Sequence, residues 1–243
     1  TPEPYKRRTA HGYILGEDGV KMSKSRGNVI NPDDCVDEYG ADTFRTYVMF
    51  IGDFEKTATW SNASIRGCRR FLERSLNLLE MIEGEQGYGA LEKNFHRTIA
   101  KVGADIEELK FNTAIAALMT LLNDIYAAGS VTREALSVYI RLLSPFAPHL
   151  AEEMWQRIGM PKPIAESGVW PQFDPAKTVD DAIEIPVQVN GKLKGRIVIS
   201  VGAAQDTVLA QACADERVSA ALEGKTVVKQ IYVKDKLVNF VVR

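Results

Sequence analysis

Lys21-Met22-Ser23-Lys24-Ser25 is the stretch of this sequence with the clearest chemical capacity. Two lysines and two hydroxyls stand just ahead of a helix start. Ammonium groups there can meet phosphate as point charges, and a helix N-terminus adds potential favourable to an anion. Ser23, Ser25 and Gly27 keep the segment pliable, which suits a flap that closes on a triphosphate and reopens. A solvated basic loop would share this composition. Two further basic sets have regular spacing. Arg66, Arg70 and Arg74 recur every four residues with Arg69 beside them, and like charges at that spacing cost a helix ~0.2–0.5 kcal/mol per pair unless compensated. Glu73 is one possible compensation; for Arg70 and Arg74, nucleic-acid phosphates are another. Lys192, Lys194 and Arg196 alternate, which predicts all three on one strand face with Leu193 and Ile197 on the other. Lys225, Lys229 and Lys234 would extend that surface, although a solvated strand face would look the same.

The elements that must position these groups are legible in period and punctuation. Residues 11–20 read as a strand and a turn at Asp18-Gly19. Asn31 caps a helix that has Pro32 at its first position, Asp33 and Asp34 in its first turn and Gly40 as its stop, and a second short helix runs from Asp42 to Phe50. From Ser61 to Arg157 the apolar period is helical. Helices begin at Ser61 or Asn62, near Phe95, near Ala114, at Thr132 and near Leu150, with Gly84 and Gly129 as stops and Pro145 and Pro148 as breaks. Short connections make this an antiparallel helix bundle. Trp60 reads as core rather than as a base-stacking platform. Residues 159–183, rich in Pro, Gly, Lys and Asp, read as a linker. The period then changes to two: Ile185, Val187 and Val189 alternate, Asn190-Gly191 turns the chain, and Leu193, Ile197 and Ile199 continue. A helix over 205–222 and strands over 227–233 and 237–242 complete a ββαββ unit. The expected fold class is mainly α with an α+β tail.

Bulk properties bound the function. The chain has 243 residues, is 45% hydrophobic and 26% charged, and carries a net charge of −2. Residues 184–243 hold nine Lys/Arg against six Asp/Glu, so a tail with three excess positive charges follows a body with five excess negative ones. That asymmetry suggests a polyanionic partner. No run of ~18 uncharged apolar residues predicts a membrane span. The N-terminus has neither Met nor a signal-type apolar region and reads as a cut or processed end. Cys35, Cys68 and Cys213 are odd in number and far apart, which argues for a reducing, cytoplasmic setting and against a disulfide framework or a structural zinc site. His11, His96 and His149 stand alone, so no protein-bound metal is expected.

The string Lys21-Met-Ser-Lys-Ser25 resembles the second signature of class I aminoacyl-tRNA synthetases. It lies in Lys-Met-Ser-Lys-Ser-Arg-Gly-Asn-Val-Ile-Asn-Pro-Asp-Asp, followed by Tyr39-Gly-Ala-Asp-Thr-Phe-Arg45, as in the leucyl, isoleucyl and valyl branch. Three later stretches resemble the bacterial-type leucyl-tRNA synthetases. They are Phe111-Asn-Thr-Ala-Ile-Ala-Ala-Leu118, Ser144-Pro-Phe-Ala-Pro-His149 leading to Glu152-Glu-Met-Trp155, and Val187-Gln-Val-Asn-Gly-Lys192 with Lys236-Leu-Val-Asn239.

The resemblance, which covers essentially the whole chain, implies the C-terminal portion of such an enzyme. The end of its catalytic domain would occupy 1–60, an anticodon-binding-type bundle 61–158, a linker 159–183 and a tRNA-binding domain 184–243. It implies catalytic roles for Lys21 and Lys24, ATP contacts by Lys21, Met22, Ser23, Lys24 and Ser25, and tRNA contacts by Arg70, Arg74, Lys192, Lys194, Arg196 and Lys229. The partners it implies are ATP with Mg2+ on the nucleotide, leucine, tRNA(Leu) and an N-terminal catalytic half, in a monomeric cytoplasmic enzyme. Arg26 stands where many relatives have Lys, with the charge kept. The family's first signature, a His-x-Gly-His-type motif, is absent, as is its editing domain, so the chain alone is expected to be inactive. The alternative is a stand-alone RNA-binding or scaffold protein derived from a synthetase, for which an intact ATP loop would be superfluous. Leucine specificity rests on the resemblance alone.

Overall fold

The Asp18-Gly19 turn forms as its residues dictate. Gly19 takes φ 70°, Gly16 and Val20 close the turn through backbone hydrogen bonds, and Asp18 Oδ1 accepts Val20 N–H at 3.0 Å. The computed structural model describes residues 4–5, 8–167, 169–178 and 182–243, and it divides into two units, Thr1–Thr178 and Val179–Arg243. In the first, the strand expected over 11–20 shrinks to β1 (Ile14–Leu15). α1 (Pro32–Tyr39) starts at the predicted Asn31 cap, whose side chain accepts Asp33 N–H, and α2 (Ala41–Phe50) follows at once. β2 (Ala58–Thr59) pairs in parallel with β1, a partner that no local pattern announced. Gly12 is pressed against the turn that leads into β2. A Cβ there would lie 1.9 Å from the Lys56 carbonyl oxygen.

α3 (Asn62–Leu76), capped by Ser61, continues as a 3₁₀ turn to Met81 rather than as α-helix to Gly84. α4 (Glu92–Glu107), α5 (Phe111–Ala128), α6 (Arg133–Leu143) and α7 (Pro148–Arg157) follow, with Gly129 left-handed after α5 and Thr132 capping α6 as expected. Their apolar stripes share one core around Phe95, Ile115, Leu118, Leu122, Tyr139 and Phe146, which holds most of the apolar surface this unit removes from water. A second cluster lies beneath the N-terminal segment, where Tyr47, Trp60, Ile65 and Cys68 are buried and Tyr47 meets Trp60 edge-on at 4.8 Å. Trp60 is therefore core, only 5% exposed, and its indole N–H donates to Asn62 Oδ1.

α2 fastens the N-terminal segment to the helices. Asp42, at its start, accepts Leu150 N–H at 2.7 Å and touches His149 Nδ1 at 2.8 Å, so it serves the open first turn of α7. One turn on, Arg45 and Thr46 donate to the carbonyls of Pro145 and Phe146. Residues 159–178, which composition assigned to a linker, run along the same unit. Trp155 donates to the Lys162 carbonyl, a short helix α8 (Ile164–Ser167) intervenes, His96 Nδ1 accepts Asp174 N–H, and Arg97 donates to the Thr178 carbonyl. Positions 168 and 179–181 of that expected linker lie outside the described residues.

In the second unit β3 (Ala182–Val189) and β4 (Lys192–Ser200) are joined by the expected two-residue turn, in which Asn190 and Gly191 both have positive φ. The helix expected over 205–222 is two, α9 (Gln205–Ala214) and α10 (Glu216–Leu222), because Asp215 leaves helical geometry to accept the N–H groups of Arg217 and Val218. A Cβ on residue 195 would lie 2.6 Å from Asp215 Oδ1, so glycine there leaves the cap undisturbed. β5 (Val227–Val233) and β6 (Leu237–Val242) complete a sheet of order β4-β3-β6-β5, with β3 and β6 parallel. Ile185, Val187, Ile197, Val208, Val218, Val238 and Phe240 form its core.

Two stability experiments follow. Tyr139 is fully buried, with its hydroxyl 2.7 Å from that of Ser75, which in turn donates to the Phe71 carbonyl. Burial pushes the Tyr139 phenol far above the ordinary tyrosine range, so it stays neutral in the fold while the unfolded group ionises near 10.0. Its contribution is complete below that pH and is lost progressively as pH rises from there toward the folded group's higher value. Tyr139→Phe should cost about 1 kcal/mol at neutral pH. In urea titrations it should also make the alkaline loss of stability shallower by one titrating group; an unchanged alkaline slope would mean that the phenol is open to water. Asp42→Ala should destabilise the chain by ~1.5–3 kcal/mol, the range for hydrogen bonds to a charged group, and a cost under ~0.5 kcal/mol would remove the clasp from the account.

Candidate phosphate-facing loop and basic surfaces

The loop is built from its two ends inward. Lys21 bridges back to Leu15, and its ammonium lies 4.9 Å from the centre of the Tyr13 ring. Met22, half-buried, packs on the cluster of Cys35, Tyr47 and Trp60 and so roots the loop in the core. Ser23 is held on both sides. Its carbonyl accepts Arg26 N–H at 3.1 Å, its N–H donates to Asn28 Oδ1 at 2.9 Å, and its hydroxyl lies 3.3 Å from that of Ser25. Lys24–Arg26 form a single 3₁₀ turn closed by Gly27, left-handed at φ 68°. Lys21, Lys24, Ser25 and Arg26 are exposed. Among the described residues, no ion pair occupies Lys21 or Lys24.

The electrostatics differ from expectation in one respect. The N-terminal end of α1, expected to favour an anion next to the loop, is already used. Asn31 caps it, and Asp33 and Asp34 fill its first turn. A cavity of about 460 Å³ behind the loop is lined by Glu17, Asp18, Asp34 and Glu38. Carboxylates therefore line the cavity behind the loop while Lys21, Lys24 and Arg26 are exposed, so a polyanion is repelled from the cavity and attracted to the exposed cations. Affinity for phosphate here would come from the exposed cations Lys21, Lys24 and Arg26 rather than from the helix dipole.

On α3 the four arginines are not equivalent. Arg69 pairs with Glu73 at 2.9 Å and donates to the Glu38 carbonyl. Arg66 lies beside Tyr39. Arg74 is half-buried, with its guanidinium 4.5 Å over the Tyr126 ring, while Tyr126 donates to the Arg74 carbonyl. Arg70 remains exposed, and among the described residues no ion pair holds it. The compensation weighed for the stripe is thus real at Arg69, partial at Arg74 and absent at Arg70.

In the second unit the expected single basic face does not form. β4 carries a bulge: Val187 pairs with Gly195 but Gln188 pairs with Leu193, so Lys194 is an extra residue and the alternation slips by one. Lys192 falls opposite buried Val189, on the helix-covered side at its rim. Leu193 instead shares the open side with Arg196 and is 54% exposed. Arg196 pairs with Glu184 at 3.0 Å. Lys229, on β5, lies at the opposite edge of the sheet from β4. Lys194, Arg196 and Arg217 line one cavity of about 500 Å³ with Glu184 and Asp215, and Arg217 was not singled out in the sequence. Asp18, read there only as a turn residue, and Asn28, not singled out, prove to shape the loop together; the one signal for Asn28 was its place as a lone Asn at the loop's end.

Residues 1–61 match the family described as tRNA synthetases class I (I, L, M and V), and residues 90–209 match the anticodon-binding domain of tRNA ligase. The chain is 52% identical over 242 residues to the leucine–tRNA ligase of Alkaliphilus oremlandii, and 43% identical over 252 residues to that of Herpetosiphon aurantiacus. In each case 99% of this chain is covered. It spans 30% and 31% of those relatives' lengths, about a third of a whole enzyme. Among solved structures, the ternary complex of Agrobacterium radiobacter K84 agnB2 LeuRS with tRNA and LeuAMS is similar with a TM-score of 0.77 and 31% identity. That match covers 96% of this chain and 33% of the other. Among the described residues, no helix is long and apolar enough to cross a membrane, and no cluster of three or more His, Cys, Asp or Glu could hold a metal.

Proposed function

We propose that this chain, a homologue of leucine–tRNA ligases along 99% of its length, supplies the ATP loop and part of the tRNA-binding surface for the ATP-dependent attachment of leucine to tRNA(Leu). The observation that carries the reading is the loop itself. Two exposed lysines stand on either side of Ser23, whose backbone N–H and carbonyl are both hydrogen-bonded, and the acidic residues line the cavity behind the loop. In the reaction the leucine carboxylate attacks the α-phosphate of ATP, which arrives with its Mg2+, and pyrophosphate departs. Lys24 would stabilise the charge that builds on the departing phosphates, Lys21 would assist, and Met22 would seat the closed loop. Fixed charges aimed at developing charge are the main device of such transfers. Attack geometry and the leucine pocket would come from an N-terminal catalytic half. The chain alone is therefore proposed to be inactive, and the assembled enzyme to be a cytoplasmic monomer.

For tRNA we propose contacts by Arg70, with Arg74 assisting from its stacked position, and by Lys194 and Arg196 in the second unit. Lys192 and Lys229 are more distant supports. Phosphate contact of this kind adds affinity without reading sequence.

In a full-length ligase carrying this chain, Lys24→Ala should slow adenylate formation ~100–1,000-fold, the cost of losing one preorganised transition-state charge, with the KM for leucine little changed. Rapid-quench assays measure it, and a near-normal rate would refute the role. Arg70→Ala should raise the KM for tRNA and leave leucine-dependent ATP–pyrophosphate exchange intact. Equal losses in both assays would instead assign Arg70 to folding.

A further inference from the structure

We infer that Asn28 is a positioning residue for the two loop lysines, acting through a clamp made with Asp18. Ser23 N–H donates to Asn28 Oδ1 at 2.9 Å. The Asn28 amide donates in turn to the Asp18 carboxylate, at 3.2 Å to Oδ2 and 3.4 Å to Oδ1. Asp18 Oδ1 also accepts Val20 N–H at 3.0 Å. The relay ties the middle of the loop to the turn that precedes it, and each link has its donor and acceptor fixed. Asn28 must offer its oxygen to an N–H and its nitrogen to a carboxylate, a task that an ionised Asp, which only accepts, cannot perform. Gly16 makes room for the relay, since a Cβ there would lie 2.7 Å from Asp18 Oδ1 and 3.2 Å from Asn28 Nδ2. Glycine is thus required by close approach rather than by backbone conformation.

The clamp bears on chemistry because of where it grips. Ser23 stands two residues after Lys21 and one before Lys24. The Ser23 carbonyl is already committed to the 3₁₀ turn that carries Lys24. With its N–H pinned as well, the backbone between Lys21 and Lys24 is held, so the points from which both side chains project are set before any phosphate arrives. Charges held in advance do not spend free energy on reorientation as the reaction proceeds. A single neutral side-chain hydrogen bond to a loop amide is also weak enough to release when a flap opens. The inference rests on the ATP reading of the loop, whereas the clamp itself is a property of this chain.

The experiment has two readouts. In the chain as it stands, amide exchange at Ser23, followed by NMR, should quicken roughly 3- to 10-fold in Asn28→Ala, the range for loss of one hydrogen bond. Asn28→Asp, which sets two carboxylates side by side, should quicken it at least as much. The double variant Asp18→Asn with Asn28→Asp reverses the relay and should restore protection, because the new carboxylate accepts from both Ser23 and the new amide. In a full-length ligase carrying this chain, adenylate formation at saturating ATP and leucine should fall and recover in the same order, by a similar factor, with the KM for leucine unchanged. Unaltered Ser23 exchange in Asn28→Ala, or failure of the reversed pair to restore it, overturns the clamp. Exchange that responds as expected beside an unresponsive adenylate rate overturns the positioning role. Lys24→Ala run in parallel separates that failure from failure of the ATP reading, since a normal rate in that variant would sink the reading itself.

Discussion

The first unit depends on one contact, the seating of the segment from Ser144 to His149 on α2. Proline at 145 and 148 stops α6 and restarts the chain as α7, which leaves carbonyls at 145 and 146 and N–H groups in the first turn of α7 without helical partners. α2 meets both needs from one face: Arg45 and Thr46 donate to the carbonyls, and Asp42 accepts from Leu150. The loop is rooted through Met22 in a cluster to which α2 contributes Tyr47. The same helix therefore anchors the loop on one side and the helical core on the other, beside α3, whose Ile65 and Cys68 enter the same cluster.

This contact also explains what the family-specific strings are made of. Tyr39–Arg45 and Ser144–His149 lie far apart in sequence yet meet at Asp42 and His149. In the second unit, Val187–Lys192 and Lys236–Asn239 likewise meet, where Asn239 accepts Gly191 N–H and the Asn190 amide pairs with both backbone groups of Val242. Both pairs of strings are interlocks, whose polar side chains satisfy backbone groups that a break in regular structure has exposed.

Legibility followed the range of the physics. Caps, stops and stripes depend on neighbours within a turn, so Asn31, Gly40, Ser61, Gly129 and Thr132 could be read from the sequence alone. So could the basic loop and the Asn190-Gly191 turn. What escaped was set at a distance. β1 needs β2 over forty residues on, and the bulge at Lys194 arises where Asp215 crowds Gly195. That one slip in register turned a predicted row of three cations into residues that face different ways. Composition misread residues 159–178 because proline and glycine mark irregular backbone, and irregular backbone can pack as firmly as a helix when carbonyls such as those of Lys162 and Thr178 find donors. Asn28 was missed for the opposite reason: its role is local but depends on side-chain direction, which spacing does not encode.

The sheet order of the second unit carries a kinetic consequence. Its two hairpins, β3–β4 and β5–β6, are local and can form on the microsecond scale, but neither alone has a covered face. The sheet is completed only by the parallel seam between β3 and β6, whose paired residues, such as Val187 and Val238, stand about fifty positions apart. Closing that separation is paid for in chain entropy before any burial rewards it. Joining the hairpins, rather than making either, should thus set the pace at which this unit folds. Until the seam closes, each hairpin presents an open inner edge, where pairing with a second copy of the chain competes with correct closure.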